Sequence, residues 1–354
     1  MAKSSPNSTG IQIRNLFKVF GRAGAEYVDK VKGGMTKTEL LEQHGHVLGL
    51  KDINIEMPAG SIQVIMGLSG SGKSTLIRHI NRLIEPTSGQ VLVEGADVVK
   101  FSPLELREFR RHKTAMVFQK FGLLPHRNVL ENTVYGLQVQ GVPRARQVES
   151  AMRWIERVGL KGFEDRYPNQ LSGGMQQRVG LARALVNDAP ILLMDEAFSA
   201  LDPLIRVDMQ TVLLDLQKEI RKTIVFITHD LDEALRLGDG IAILRDGEIV
   251  QQGTSQDIVL RPADDYIASF VKEVNRGRVI RVASAMTSLA ASSSRPDATV
   301  ASDATLETAA HAFKQHDVER LTVLDEASAP VGTIGVREVL NAMVWAETFE
   351  GRPA

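Results

Sequence analysis

The chain has 354 residues, 43% of them hydrophobic and 24% charged, with a formal net charge of −1. This is a globular composition with room for roughly two domains, and the near-neutral balance gives no global field to draw in nucleic acid or lipid. The absence of cysteine excludes disulfides and thiol chemistry, and no apolar run approaches the ~18 residues of a spanning helix.

Residues 1–10, MAKSSPNSTG, lack an apolar core and read as a disordered lead, not a signal peptide. Ile11 to Phe20 alternates apolar and polar residues, which predicts a strand. Its last residue, Phe20, is a ring that can stack on a base; Phe17 is the competing ring. Residues 21–50 look like an insertion with a short helix, opened by the capping box Thr36-x-x-Glu39 and stopped at Gly45. Nothing in the insertion is expected to carry chemistry. Lys51 to Glu56 returns as a strand, and Pro58-Ala59-Gly60 turns the chain.

Ile62 to Met66 reads as a buried strand. It breaks into Gly67-Leu68-Ser69-Gly70-Ser71-Gly72-Lys73-Ser74, and a helical pattern follows from Thr75 onward. This fits G-x-x-x-x-G-K-[ST] in its required strand–turn–helix context. Glycines let successive backbone N–H groups curl around phosphate oxygens, and the helix start adds its positive end. Lys73 should reach the β- and γ-phosphates of a nucleoside triphosphate, and Ser74 should ligate Mg²⁺.

Pro86 to Gly89 predicts a turn, 91–95 a strand, and Ser102 to Arg111 a short helix with a basic end. Thr114 to Phe118 is a strand tipped by Gln119, whose carbonyl oxygen can complete a metal shell or orient water. Residues 129–160 look helical. Leu171-Ser172-Gly173-Gly174-Met175-Gln176-Gln177-Arg178 opens another helix and is a second glycine-rich anion site. One fold does not need two, so the second is assigned to a nucleotide held by another subunit. The strand at 190–196 ends in Asp195, suited to a Mg²⁺ shell, and Glu196, suited to polarising water. The strand at 223–228 is tipped by His229, which can bond a γ-phosphate. In a doubly wound sheet these strand ends converge on the ligand crevice.

Taken together, these motifs resemble the ATPase subunit of an ABC transporter across about residues 11–255. The resemblance implies an α/β P-loop NTPase of the ABC type: a RecA-like core, a helical subdomain at about 120–170, and an antiparallel β part. It implies ATP contacts from Phe20, Gly67, Ser69, Gly70, Ser71, Gly72, Lys73, Ser74 and Thr75. Mg²⁺ would be held by Ser74, Gln119 and Asp195. Catalytic roles fall to Glu196 as general base, His229 as linchpin, and Gln119. Ser172, Gly173, Gly174, Gln176 and Asp202 would contact the partner's ATP in a homodimer. The 21–50 insertion, the stretches IMGLSGSGKSTLIRHINRLIEPTSGQVLVEG and MVFQKFGLLPHRNVLENTVYGL, and the C-terminal extension resemble more narrowly the importer ATPases for glycine betaine, proline betaine and choline. That implies an integral membrane permease, an indirect extracytoplasmic binding protein, no nucleic acid, and a peripheral place on the cytoplasmic face of the inner membrane.

Other readings fit less well. Repair-type ABC ATPases insert a long coiled coil between the two glycine-rich motifs. Here only roughly a hundred residues separate Lys73 from Ser172, with no sustained heptads. Ribosome-type members carry two cassettes, and a guanine-binding N-K-x-D is missing. Residues 241–253 form a hairpin around Asp246-Gly247, and Asp264 to Glu273 reads as the closing helix of an ATPase domain spanning 11–275. After about residue 276 a linker, Ser284 to Pro296, leads to a stretch at 300–343 that resembles a single CBS motif, a small α+β module within 276–354. Gly335 and Glu338 stand where that family carries Thr or Ser and then Asp for a ribose, so the resemblance does not imply a nucleotide there. AETFEGRPA is expected to be a tail.

Overall fold

A computed structural model describes residues 10–119, 122–199, 201–288 and 298–344. Residues 1–9 of the expected 1–10 lead, Ala200, most of the expected linker and the final tail lie outside them. The chain separates into two compact units, dividing between Gln252 and Gly253.

In the first unit, β1 (Ile11–Phe20) leads through α1 (Val28–Lys32) and α2 (Lys37–His44) to β2 (Val47–Met57). β3 (Ile62–Met66) runs into the phosphate loop and α3 (Lys73–Ile80). Then come β4 (Ser88–Val93), β5 (Ala96–Asp97), α4 (Pro103–His112) and β6 (Thr114–Val117). Three helices follow, α5 (Val129–Val139), α6 (Arg144–Arg157) and α7 (Gly173–Leu185). The unit closes with β7 (Ile191–Asp195), α8 (Pro203–Ile220), β8 (Thr223–Thr228), α9 (Leu231–Leu237), and the hairpin of β9 (Gly240–Arg245) and β10 (Glu248–Gly253).

Two sheets organise it. One is antiparallel, in the order β2-β1-β4-β5; the other has the order β10-β9-β3-β8-β7-β6, and β9, β3, β8, β7 and β6 are parallel. β3, β7 and β8 are buried at every position, as central parallel strands must be when both faces are covered. One core cluster joins the sheets: Ile13, Leu16 and Ile53 meet Ile65, Leu76, Leu193 and Val225. The register sets Met66 beside Thr228 and Asp195 beside Ile227. The residues that follow these strands therefore leave the sheet on one edge.

The structure differs from the sequence reading at several boundaries. β2 begins at Val47, not Lys51, because Val47 and Leu48 pair with Phe20 and Val19. The insertion is partly a folded layer with its own small core of Phe17, Val19, Val28, Val31, Leu40 and Leu48. Its predicted capping box is present, with Thr36 accepting from Glu39 N and Glu39 accepting from Thr36 N. The expected strand at 91–95 starts at Ser88 and stops at Val93. The helical stretch at 129–160 is two helices, broken at Gly141-Val142-Pro143, since proline supplies no N–H and disfavours helix in the residue before it.

The second unit contains α10 (Ser255–Leu260), α11 (Asp265–Val271), α12 (Arg276–Val279), β11 (Thr287–Ser288), β12 (Thr299–Ala301), α13 (Leu306–His316), β13 (Arg320–Leu324), β14 (Pro330–Gly335) and α14 (Val336–Met343). Its sheet runs β11-β14-β13-β12. The closing helices belong with this unit, whereas the sequence set a boundary at 275. Gln256 Nε2 donates to Val279 O at 2.8 Å, and Arg276 Nε to Ala342 O at 2.9 Å. Glu338 is engaged by Arg320 at 3.3 Å.

Candidate active site

Gly67, at φ 151°, ends β3 so close to β9 that a Cβ would fall 2.2 Å from Leu244 O; no other residue fits without moving that backbone. The loop then folds over Lys73. Its Nζ is buried and donates to Gly67 O at 2.8 Å and Leu68 O at 3.0 Å. Glu196 Oε1 lies 3.7 Å from the same ammonium. Burial pushes the Lys73 ammonium below the ordinary lysine value, while Glu196 and Asp195 act in the opposite direction. Gly247 N donates to Ser71 O at 3.0 Å, so the β9–β10 turn braces the loop from outside.

Asp195 and Glu196 diverge as consecutive strand-end residues should. Asp195 is buried; its Oδ1 accepts from Ser74 Oγ at 2.7 Å, and its Oδ2 pairs with Arg78 at 3.2 Å. Glu196 sits in the left-handed region, at φ 47°. Its Oε2 accepts from Gln119 Nε2 at 2.9 Å and lies 3.6 Å from His229 Nδ1. Four strand ends thus contribute: Lys73 and Ser74 after β3, Gln119 after β6, Asp195 and Glu196 from β7, and His229 after β8.

An open cleft of about 620 Å³ runs past these groups, lined by Phe20, Lys37, Val47, Leu48, Gly49, Leu68, Ser69, Gly70, Gly72, Lys73, Ser74, Thr75, Gln119, Glu196 and His229. Phe20 is the ring at the cleft, 38% exposed, while Phe17 is 3% exposed in the insertion's core. Phe20 lies against Gly49, where a Cβ would fall 2.6 Å from the ring.

The donor set fits a magnesium nucleotide. Lys73 lines the cleft with a buried ammonium held by two loop carbonyls, a cation that phosphate oxygens fit, whereas Ser71 Oγ, buried without a partner among the described residues, faces Gly67 and not the cleft. Ser74 Oγ and Asp195 Oδ1 are hard oxygens of the kind Mg²⁺ takes. Among the described residues no cluster of three or more His, Cys, Asp or Glu could hold a metal.

Ser172, Gly173, Gly174, Gln176 and Asp202 do not line this cleft. Ser172 caps α7 by accepting from Met175 N, and Asp202 caps α8 by accepting from Ile205 N at 3.1 Å. The two helix starts lie side by side, since a Cβ on Gly174 would fall 2.7 Å from Ile205. Gln176 turns inward, its Nε2 donating to Pro168 O at 3.0 Å and Leu171 O at 3.2 Å.

Comparison with known proteins accords with this geometry. Residues 50–199 match the model of the ABC transporter family, and residues 290–344 that of the CBS domain. The glycine betaine transport ATP-binding protein OpuAA of Bacillus subtilis is 54% identical over 270 residues, 76% of this chain and 65% of that protein. The glycine betaine/proline betaine transport system ATP-binding protein ProV of Escherichia coli is 52% identical over 269 residues, 76% of this chain and 67% of that protein. The chain belongs to the ABC transporter family. It matches about two thirds of the length of these curated relatives. The dimeric structure of MJ0796, a bacterial ABC transporter cassette, superposes with a TM-score of 0.60 at 32% identity, covering 69% of this chain and 98% of that one.

Sequence reasoning missed Lys37, Val47, Leu48, Gly49 and Leu68 as cleft residues, and Arg78 as the partner of Asp195. The signal for Arg78 was its position one helical turn after Ser74 on α3. The insertion, expected to be inert, supplies part of the cleft wall.

Proposed function

We propose that this ABC transporter subunit hydrolyses ATP to power the import of a quaternary amine osmolyte, of the glycine betaine, proline betaine or choline type, through a membrane permease. The convergence of Lys73, Ser74, Glu196, Gln119 and His229 on one cleft, with Asp195 buried behind Ser74, carries the hydrolysis. The relatives named for glycine betaine transport, 54% and 52% identical, support the substrate class.

Phe20 stacks on the base, and the loop from Gly67 to Thr75 wraps the phosphates with backbone N–H groups and the α3 start. Lys73 releases its carbonyl partners to meet the β- and γ-phosphates. Ser74 and Asp195, completed by Gln119, would hold Mg²⁺, which would supply positive charge beside the phosphates. Glu196 takes a proton from the attacking water while Gln119 and His229 hold its carboxylate and the γ-phosphate in place. The exposed helix starts at Ser172 and Asp202 close over the ATP of a second copy. The dimeric form of the related MJ0796 cassette supports that arrangement. No helix among the described residues is long and apolar enough to cross a membrane. The permease would hold the chain at the cytoplasmic face, a reading supported by the relatives named as transport ATP-binding proteins. An extracytoplasmic binding protein would deliver the solute.

Uptake of labelled glycine betaine tests the reading in a strain lacking osmolyte importers. The chain and its neighbouring permease and binding-protein genes should restore uptake, and Lys73→Ala should abolish it. Restored uptake of an unrelated solute with no competition from betaines would overturn the substrate class.

A further inference from the structure

Within the nucleotide site just proposed, we infer a second phosphate-binding cation, Lys37, supplied by the insertion and serving the α-phosphate. Lys37 lines the same cleft as Phe20 and the phosphate loop. It is the first residue of α2, directly after the cap Thr36. A cation at the positive end of a helix is unfavourable unless an anion lies opposite. The anions there are Glu39 of the capping box and Asp246, whose Oδ1 lies 3.5 Å from Lys37 Nζ; the side chains of Lys37 and Asp246 are 41% and 74% exposed. Exposed pairs of this kind hold weakly and exchange readily for a more highly charged partner.

The position of this pair points to its use. Asp246 adjoins Gly247, whose N–H donates to Ser71 O in the phosphate loop. Gly49 lies between the two ends of the cleft: Phe20 packs on it, and Cβ atoms at Gly72 and Gly247 would fall 2.8 and 2.9 Å from its carbonyl oxygen. Lys37 is therefore held at the stretch of wall that joins the base-stacking ring to the loop. In a nucleotide with its base on Phe20 and its β- and γ-phosphates on Lys73, the charged group at that stretch is the α-phosphate. Lys37 leaves Asp246 for it, and α2 closes the side of the cleft.

The test is a set of substitutions in the full chain, read by ATP turnover and by direct binding of ATP, ADP and adenosine. Lys37→Ala should raise the KM for ATP and the Kd for ADP alike, by about three- to tenfold, with kcat within about twofold and adenosine binding unchanged. Lys37→Arg should recover most of the loss. The effect should shrink in high salt. Asp246→Asn, which suits the same left-handed turn residue, should not raise KM. Equal losses from Lys37→Ala and Asp246→Asn would make Lys37 a tether between α2 and the hairpin and overturn the inference. So would unchanged nucleotide binding in Lys37→Ala, or a loss confined to ATP. Failure of the wild-type chain to bind ATP at all would instead remove the reading on which the inference rests.

Discussion

Gln119 Nε2 donates a 2.9 Å hydrogen bond to Glu196 Oε2, joining the ends of the neighbouring strands β6 and β7 in the cleft wall. Glu196 presents its other oxygen to Lys73 at 3.7 Å. The carboxylate is thus held by a neutral donor and a cation, and its left-handed backbone, φ 47°, is the kind of strain that surrounding structure must hold in place.

Glu196→Gln keeps this shape but cannot accept a proton. Turnover should fall by about a hundredfold or more while ATP affinity stays near wild type. Single-turnover hydrolysis and nucleotide binding measured side by side check this. Turnover within about tenfold of wild type would remove Glu196 as the base.

Gly49→Ala should weaken ATP binding without touching any phosphate ligand. Its Cβ would fall 2.6 Å from Phe20, so the ring must swing off the strand. Stacking on a base is worth about 1–3 kcal/mol, and losing part of it should raise KM about fivefold with kcat little changed. Phe20→Ala should act in the same direction, and Phe20→Tyr should not. A wild-type KM in both Gly49→Ala and Phe20→Ala would dissociate the ring from the base.

The phosphate loop was legible because strand, glycines and helix are contiguous, and β7 and β8 because buried parallel strands are continuous apolar runs. The wall formed by Lys37, Val47 and Gly49 was not. It depends on Val47 pairing with Phe20, a long-range register that no local pattern carries. The two-residue choice between Phe17 and Phe20 was open for a related reason, since the irregular register of β1 disturbs simple alternation. The break at Gly141-Val142-Pro143 was a visible signal outweighed by the apolar periodicity on either side. Gln176 shows the limit of reading by motif: its amide ties Pro168 and Leu171 to α7, an internal use that competes with the assigned contact to a partner's ATP.

His79 should make the cassette sensitive to mild acid. It is 1% exposed on α3, its Nδ1 lies 2.6 Å from Thr75 O, and Nε2 has no partner among the described residues. Burial pushes its pKa down to about 4, with Lys18 nearby lowering it further and the Thr75 carbonyl and Glu85 opposing. The folded state therefore holds the ring neutral. Above the unfolded value of about 6.5 the group has no effect; as pH falls toward 4, only the unfolded chain takes up the proton and stability drains away. The loss should reach about 2 kcal/mol by pH 5. Comparing denaturation midpoints of wild type and His79→Gln at pH 7.5 and pH 5 tests it, and equal pH slopes in the two proteins would assign the acid sensitivity elsewhere.

The last prediction concerns the exposed helix starts. Ser172 accepts from Met175 N as the cap of α7, and aspartate caps as well as serine does. Ser172→Asp should therefore leave the fold and each chain's own ATP site intact. It would also set a carboxylate against the polyphosphate of a second copy, where like charges repel. Alone, the variant should bind ATP normally and hydrolyse it poorly. Mixed with Glu196→Gln, it forms dimers in which one shared site carries both lesions and the other carries neither. ATPase activity in the mixture should exceed that of either variant by itself. If mixed dimers form and no activity returns, the Ser172 helix start does not serve the nucleotide of a second copy, and the second glycine-rich motif must be explained within one chain.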